Sequence, residues 1–264
     1  PRDAIVADIS TRENRGRNFG LLRAMDNLGA VCGIITCILL FTYLGYRNLF
    51  LIASIPSLFG VLLILAFIKD RETERIYKGA SLKNLTFNFK LFLFLSTLFA
   101  LGSFSYSFLL VSAKEIGFQD SSIPVLYLLF TVIASLTSLP FGKLTDIVSR
   151  KVVLILSYFF WGLLCLGFIF FESYVGVLLL FILFGLHKGA IEPSQRTFVS
   201  ELSPIEYRAS MLGAFQMIVG LCALPASVIA GILWVNFGMA APFYFSLALT
   251  SLTIALMLFV KEET

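Results

Sequence analysis

The chain has 264 residues, of which 58% are hydrophobic and 14% charged, and its mean hydropathy is +0.92; a soluble domain runs at roughly 45–50% apolar and about 25% charged. These proportions exclude a soluble globular protein and indicate a polytopic membrane protein. The net charge of +4 at pH 7 does not argue for a nucleic-acid partner, because the basic residues are scattered through short loops and form no single aromatic-interleaved patch.

In chain order, the opening residues carry Arg2, Asp3, Asp8, Arg12, Glu13, Arg15 and Arg17, not a basic region followed by a short apolar core, so no secretory signal is read here. The chain opens on Pro1 instead of Met, and we expect further sequence upstream. Apolar segments follow near 19–41, 49–68, 90–112, 122–140, 152–171, 174–198, 209–234 and 241–260, each close to the roughly 17–25 residues that a bilayer demands. All eight are expected to be helices, since backbone groups in lipid must be satisfied within the segment and no alternating pattern suggests a barrel. Lys and Arg set the orientation. Arg2, Arg12, Arg15, Arg17, Lys69, Arg71, Arg75, Lys78, Lys83, Lys143, Arg150, Lys151 and Arg208 fall on one side, whereas only Arg47 and Lys114 fall on the other. The first side is expected to be cytoplasmic. The four cysteines (Cys32, Cys37, Cys165, Cys222) lie inside apolar runs without metal-ligand spacing, so buried structural thiols are expected and no metal or cofactor.

The longest polar stretch, Lys69 to Asn88, divides the chain. We expect residues 1–68 to end one bundle, 69–88 to form a cytoplasmic linker, and 89–264 to form a six-helix bundle. An internal repeat supports the division. A shift of 193 residues lays Asp8 on Glu201, Ser10 on Ser203, Glu13 on Glu206, Arg15 on Arg208, Gly20 on Gly213, Leu28 on Leu221, Ala30 on Ala223, Gly45 on Gly238 and Phe50 on Phe243, without a gap. Loop charges and helix glycines match, so shared hydrophobicity does not explain the pattern. Two parallel six-helix repeats are the expected architecture, with about four helices upstream of Pro1.

Between the fourth and fifth apolar segments lies the polar hinge from Gly142 to Lys151. A glycine there lets two helices approach closely, and the Asp146 carboxylate can face a neighbouring helix N-terminus or an arginine, with Arg150 and Lys151 as countercharges. Gly142, Leu144, Asp146, Arg150 and Lys151 match the loop pattern G-x-L-x-D-R-x-G-R-R/K, with Ile147 and Ser149 in place of its Arg and Gly. On these residues the chain resembles the major facilitator superfamily, as the C-terminal two thirds of such a transporter, helices five to twelve. The helix beginning near Asn18 carries Gly20, Gly29 and Gly33 at the spacing of the first part of the family's antiporter pattern, but Ile34, Cys37 and Ile38 replace its Pro and final Gly pair. The resemblance implies a cytoplasmic gate built on Gly142, Asp146, Arg150, Lys151 and Arg208. A plain topogenic loop is the alternative.

Ionisable groups inside a span are functional candidates by default. In the segment 174–198, His187 and Lys188 fall near the middle with Glu192 one turn on, and Lys188, Glu192 and Gln195 share a helical face. This cluster is the first candidate for a substrate or proton site; a static Lys188–Glu192 pair beside a Gly185/Gly189 packing face is the alternative. Arg23 and Asp26 stand one turn apart near the cytoplasmic end of their helix, as an intrahelical pair, a snorkelling arginine or cavity residues. Gln216 occupies the position equivalent to Arg23. Ser103 and Tyr106 are spaced to share a face that lines a cavity, although a serine also satisfies itself on its own helix.

No Walker loop, HExxH or Gly-x-Ser-x-Gly is present, so no enzyme is expected and transport would be driven by an ion gradient. The expected function is secondary active transport of a small molecule by alternating access, proton-coupled and with export slightly favoured over uptake, in the lipid bilayer of a bacterial inner membrane. A transport-silent sensor or scaffold on the same fold is the alternative. An intramembrane enzyme using His187 and Glu192 ranks last, for want of a nucleophile or metal set.

Overall fold

The computed structural model describes residues 2–67 and 85–262. Eleven α-helices are described: α1 (Arg2–Ile9), α2 (Arg15–Gly45), α3 (Arg47–Phe67), α4 (Phe87–Gly102), α5 (Tyr106–Glu115), α6 (Ile123–Ile147), α7 (Arg150–Phe170), α8 (Tyr174–Glu201), α9 (Arg208–Leu221), α10 (Ala223–Phe237) and α11 (Ala241–Met257). Among the described residues there is no strand. Among the described residues, seven helical spans are long and apolar enough to cross a membrane, two of them containing the pairs α4–α5 and α9–α10, and α11 is a shorter apolar helix. The chain is thus an all-α polytopic membrane protein. Most of the stretch expected to be a linker lies outside the described residues.

Three details differ from the sequence expectation, each for a local reason. The turn expected at 42–48 contracts to one residue, Gly45 (φ 63°, ψ 175°), a backbone state that a Cβ would disfavour. The span expected at 90–112 breaks after Gly102: Ser103 leaves the helical region (φ −93°, ψ 81°), and Ser105 starts a new helix by accepting a hydrogen bond from the Ser107 amide. The last long span breaks at Cys222, whose amide turns back to Val219 in a tightened turn. Pro225 follows within one turn and has no amide to offer the Leu221 carbonyl. The cysteine expectation is corrected as well: Cys165 and Cys222 are buried, but Cys32 and Cys37 are exposed on α2.

The repeat is visible in the backbone. Gly45 and Gly238, equivalent under the 193-residue shift, both have positive φ (63° and 90°) with ψ of 175° and 172°. Ser10 Oγ donates to the Val6 carbonyl and Ser203 Oγ to that of Val199, both at 2.5 Å. Helix α1 is therefore the counterpart of the last turns of α8.

Helices α4, α6, α7, α8 and α11 enclose an aromatic core. Trp161 is fully buried with its Nε1 donating to Ser246 Oγ at 2.8 Å; Phe104 packs against its ring and against Phe243, which in turn stacks on Phe168. In contrast, α3 leaves apolar side chains such as Phe50, Leu51, Ile55 and Phe59 uncovered by the other described helices. From the first repeat, α2 lies along α6 and also reaches α8. Helix α1 docks against α8 and α9.

Candidate functional site

A cavity of about 390 Å³ opens between α4, α8, α9 and α10. Helix α8 supplies its polar wall: His187, Lys188, Glu192, Gln195 and Arg196 all line it, as the shared face predicted. Helix α9 adds Gln216, and α4 adds Ser96 and Ser103; Phe99, Ile191 and Phe215 make the rest apolar. Five of the eight sequence candidates for a substrate or proton site thus converge on one space.

His187 is 1% exposed. Its Nδ1 lies 2.8 Å from the Ser157 carbonyl, so the tautomer that satisfies both atoms places the proton on Nδ1 and leaves Nε2 as an acceptor. The rings of Phe99, Trp161 and Phe184 surround it at centroid distances of 5.8, 5.3 and 6.1 Å. Lys188 stands 5.7 Å over the Phe184 ring. Among the described residues no carboxylate lies within ion-pairing distance of its ammonium. The alternative of a static Lys188–Glu192 pair is therefore not what α8 forms. Glu192 turns the other way, to Arg23 at 3.7 Å and Arg196 at 3.8 Å.

That carboxylate belongs to a network that closes the cavity toward the arginine-rich end. Asp3 accepts from both Arg23 (3.0 Å) and Arg196 (2.7 Å), and from Gln216 Nε2 at 2.8 Å. Asp26 accepts from Arg2 and Arg23, each at 2.8 Å. Three guanidinium groups face three carboxylates, so the network is electrically balanced. Arg23 is 8% exposed, which excludes snorkelling. It makes the intrahelical contact and the crossing to α1 and α8 at once. Burial by itself would raise the Asp3 carboxyl, but the charge and hydrogen bond of Arg196, the Gln216 hydrogen bond and the charge of Arg23 outweigh it and hold the group below the usual carboxylate range.

Asp3 and Arg196 were not singled out from the sequence, yet a signal existed. The 193-residue shift lays Asp3 on Arg196 just as it lays Arg23 on Gln216. Asp3 and Arg196 meet directly, and Arg23 and Gln216 meet through Asp3, to which both donate.

Beyond the network, the hinge joins α2 to α6. Asp146 accepts from the amides of Gly16 and Arg17, both at 2.7 Å, at the N-terminus of α2, where free amides and the helix dipole favour an anion. A Cβ on Gly142 would meet the Gly16 carbonyl and, at 2.8 Å, Gly20 Cα; one on Gly20 would meet the Ser138 carbonyl at 2.6 Å. Ser135 Oγ donates to the Ala24 carbonyl at 3.0 Å. Further along α2, Gly29 and Gly33 have nothing within 4 Å. The helices part there, around an apolar groove of about 650 Å³ lined by Cys37, Phe41, Leu110 and Tyr127.

The remaining candidates separate. Tyr106 does not join Ser103 at the cavity; it lines the apolar groove, 5.3 Å from the Tyr127 ring. The break at residues 103–105 resets the helical phase, so three-residue spacing no longer means a shared face. Arg150 pairs with Glu201 at 2.7 Å and donates to the Arg12 carbonyl at 2.9 Å, tying α7 to α8 and to the segment before α2. Arg208 donates to the Ser200 carbonyl and lies 3.9 Å from Asp8. Lys151 turns away from the α2–α6 contact; its Nζ donates to the Leu258 and Val260 carbonyls, closing the end of α11.

Comparison with known proteins gives consistent matches. The family model described as Major Facilitator Superfamily matches residues 1–92 and 91–264. A protein of Methanocaldococcus jannaschii described as an uncharacterized MFS-type transporter is 38% identical over 245 residues, covering 89% of this chain and 61% of that relative. A second uncharacterized MFS-type transporter of the same organism is 24% identical over 135 residues, 51% of this chain and 35% of the relative. The chain therefore spans less than two thirds of the length of these curated relatives.

Proposed function

The chain belongs to the Major Facilitator Superfamily, and on that premise we propose that it performs secondary active transport of a small molecule by alternating access, coupled to protons and directed toward export. The observation that carries this reading is the unequal contact of α2 with α6. Glycine-mediated contact and the Asp146 cap join the helices at one end, whereas at the other an apolar groove of about 650 Å³ separates them. A transporter that exposes a central site to one side at a time needs such a seam, held by contacts that can break as a set.

In this reading residues 1–68 close the first bundle, 69–88 link, and 89–264 form the second bundle. The substrate enters the cavity beside His187, Lys188, Gln195 and Gln216, and Glu192 with the Asp3 network closes its floor. Gly142, Asp146, Arg150 and Arg208 hold the cytoplasmic side shut, and Lys151 supports them by fixing α11. The favoured proton carriers are Glu192, whose guanidinium partners stand 3.7 and 3.8 Å away, and His187 through its Nε2. The arginine-rich loops place the closed end in the cytoplasm. A cytoplasmic membrane is the expected site, and the archaeal relatives do not restrict it to bacteria.

The test uses full-length protein in proteoliposomes containing a pH dye, with a panel of small metabolites and amphipathic compounds. Substrate-dependent proton flux that Glu192→Gln abolishes supports the coupled mechanism. Substrate flux without proton movement removes the coupling, and absence of flux with every compound favours a sensor.

A further inference from the structure

The cavity has a charge left over. Of its lining residues, Glu192 and Arg196 belong to the balanced network of three guanidiniums and three carboxylates, which leaves the Lys188 ammonium, among the described residues, as the charge on the wall without a countercharge. Lys188 lies at the centre of α8, remote from either end of its span, so it does not reach a membrane surface. The Phe184 face, 5.7 Å away, supplies a weak cation–π contact in place of a countercharge. Gln195 and Gln216 are the uncharged polar side chains that share this wall with Lys188. A charge inside a span without a countercharge is costly, and a cavity that leaves an ammonium unmatched is complementary to a ligand that matches it. Phe99, Ile191 and Phe215 make the rest of the lining apolar.

We propose that the solute received by this cavity is an organic monoanion, a carboxylate joined to an apolar body, with the anionic group on Lys188. This rests on the reading of the cavity as the substrate site. It deepens that reading by naming the solute class, and it makes Lys188 the residue that selects for charge. Cations are rejected because the wall already carries one unmatched positive charge, and neutral isosteres leave Lys188 unpaired.

The experiment measures binding to full-length protein in nanodiscs by equilibrium dialysis, with three probes of one shape: 4-phenylbutyrate, 4-phenylbutylamine and 4-phenylbutanol. Wild type is compared with Lys188→Gln, Lys188→Arg, Lys188→Glu and Ala223→Trp, the last placing a bulky ring at an exposed position of the cavity wall. The carboxylate is expected to bind best to wild type. Lys188→Gln should weaken it by about tenfold or more, the usual scale for losing a hydrogen bond to a charged group. Lys188→Arg should hold it within about threefold, since charge is kept, and Lys188→Glu should favour the amine. Preference of wild type for the amine or the alcohol, carboxylate binding indifferent to Lys188→Gln, or no carboxylate binding at all overturns the proposal. Amine or alcohol binding that Ala223→Trp abolishes leaves the cavity as the site and removes only the anion. Carboxylate binding that survives Ala223→Trp removes the cavity reading too.

Discussion

At the scale of single residues, Asp3 does the most with one side chain. It receives Arg23, Arg196 and Gln216, and so connects three helices that are distant in sequence. Its carboxyl is held below the ordinary value, so the stability it contributes is fully present above about pH 4 and is lost as pH falls through the lower native value. The difference in melting temperature between wild type and Asp3→Asn should therefore be constant from pH 7 to pH 5 and shrink below about pH 4; a difference that grows on acidification contradicts this. Asp3 and Arg196 are both mostly buried, with side-chain exposures of 15% and 18%. Removing either should cost about 3 kcal/mol, with the two losses strongly non-additive in a double-mutant cycle of Asp3→Asn and Arg196→Gln. Additive losses would mean that the 2.7 Å contact contributes nothing of its own.

At the scale of elements, the α2–α6 crossing depends on the absence of side chains. An added Cβ at Gly142 runs into the Gly16 carbonyl and the Gly20 backbone, which cannot rotate aside. Gly142→Ala should thus cost about 1–3 kcal/mol in the closed seam and shift the population toward the state open at that end. Ser138→Cys, placed at a residue with no exposure, reports the shift as a gain in maleimide labelling. Gly29→Ala is the control, since nothing lies within 4 Å of it, and it should leave labelling unchanged. Equal labelling in both backgrounds would show that the glycine contact does not hold the seam. The breaks at Ser103 and Cys222 belong to this scale also. Both adjoin the cavity, where Ser103 and Ala223 line its wall, and interrupted helices at a binding site free backbone groups to face it.

At the scale of the molecule, cysteines on different helices differ in access. Cys37 is exposed and lines the apolar groove, whereas Cys165 is buried against Ser246. A membrane-impermeant thiol reagent added from outside should label Cys37 and spare Cys165, and Cys37 labelling should slow when a substrate drives the protein toward its other state. Labelling of Cys37 only from the arginine-rich side would reverse the assigned orientation.

Much of this protein is determined locally and so is legible in the sequence. Bilayer-length apolar runs dictate helices because lipid leaves no other way to satisfy the backbone, and the 193-residue repeat exposes the two-bundle plan. The helical period alone brings Lys188, Glu192 and Gln195 to one face. What the period cannot supply is the partner across a gap. Glu192 prefers Arg23 and Arg196 to the Lys188 on its own face, Lys151 reaches the end of α11, and Tyr106 loses its phase to a break that Ser103 and Ser105 create. Those outcomes rest on which helices touch, and at what height. Charge pairing falls off over a few ångströms in a low-dielectric interior, so only the tertiary structure decides which carboxylate reaches which cation and which lysine stands apart from them.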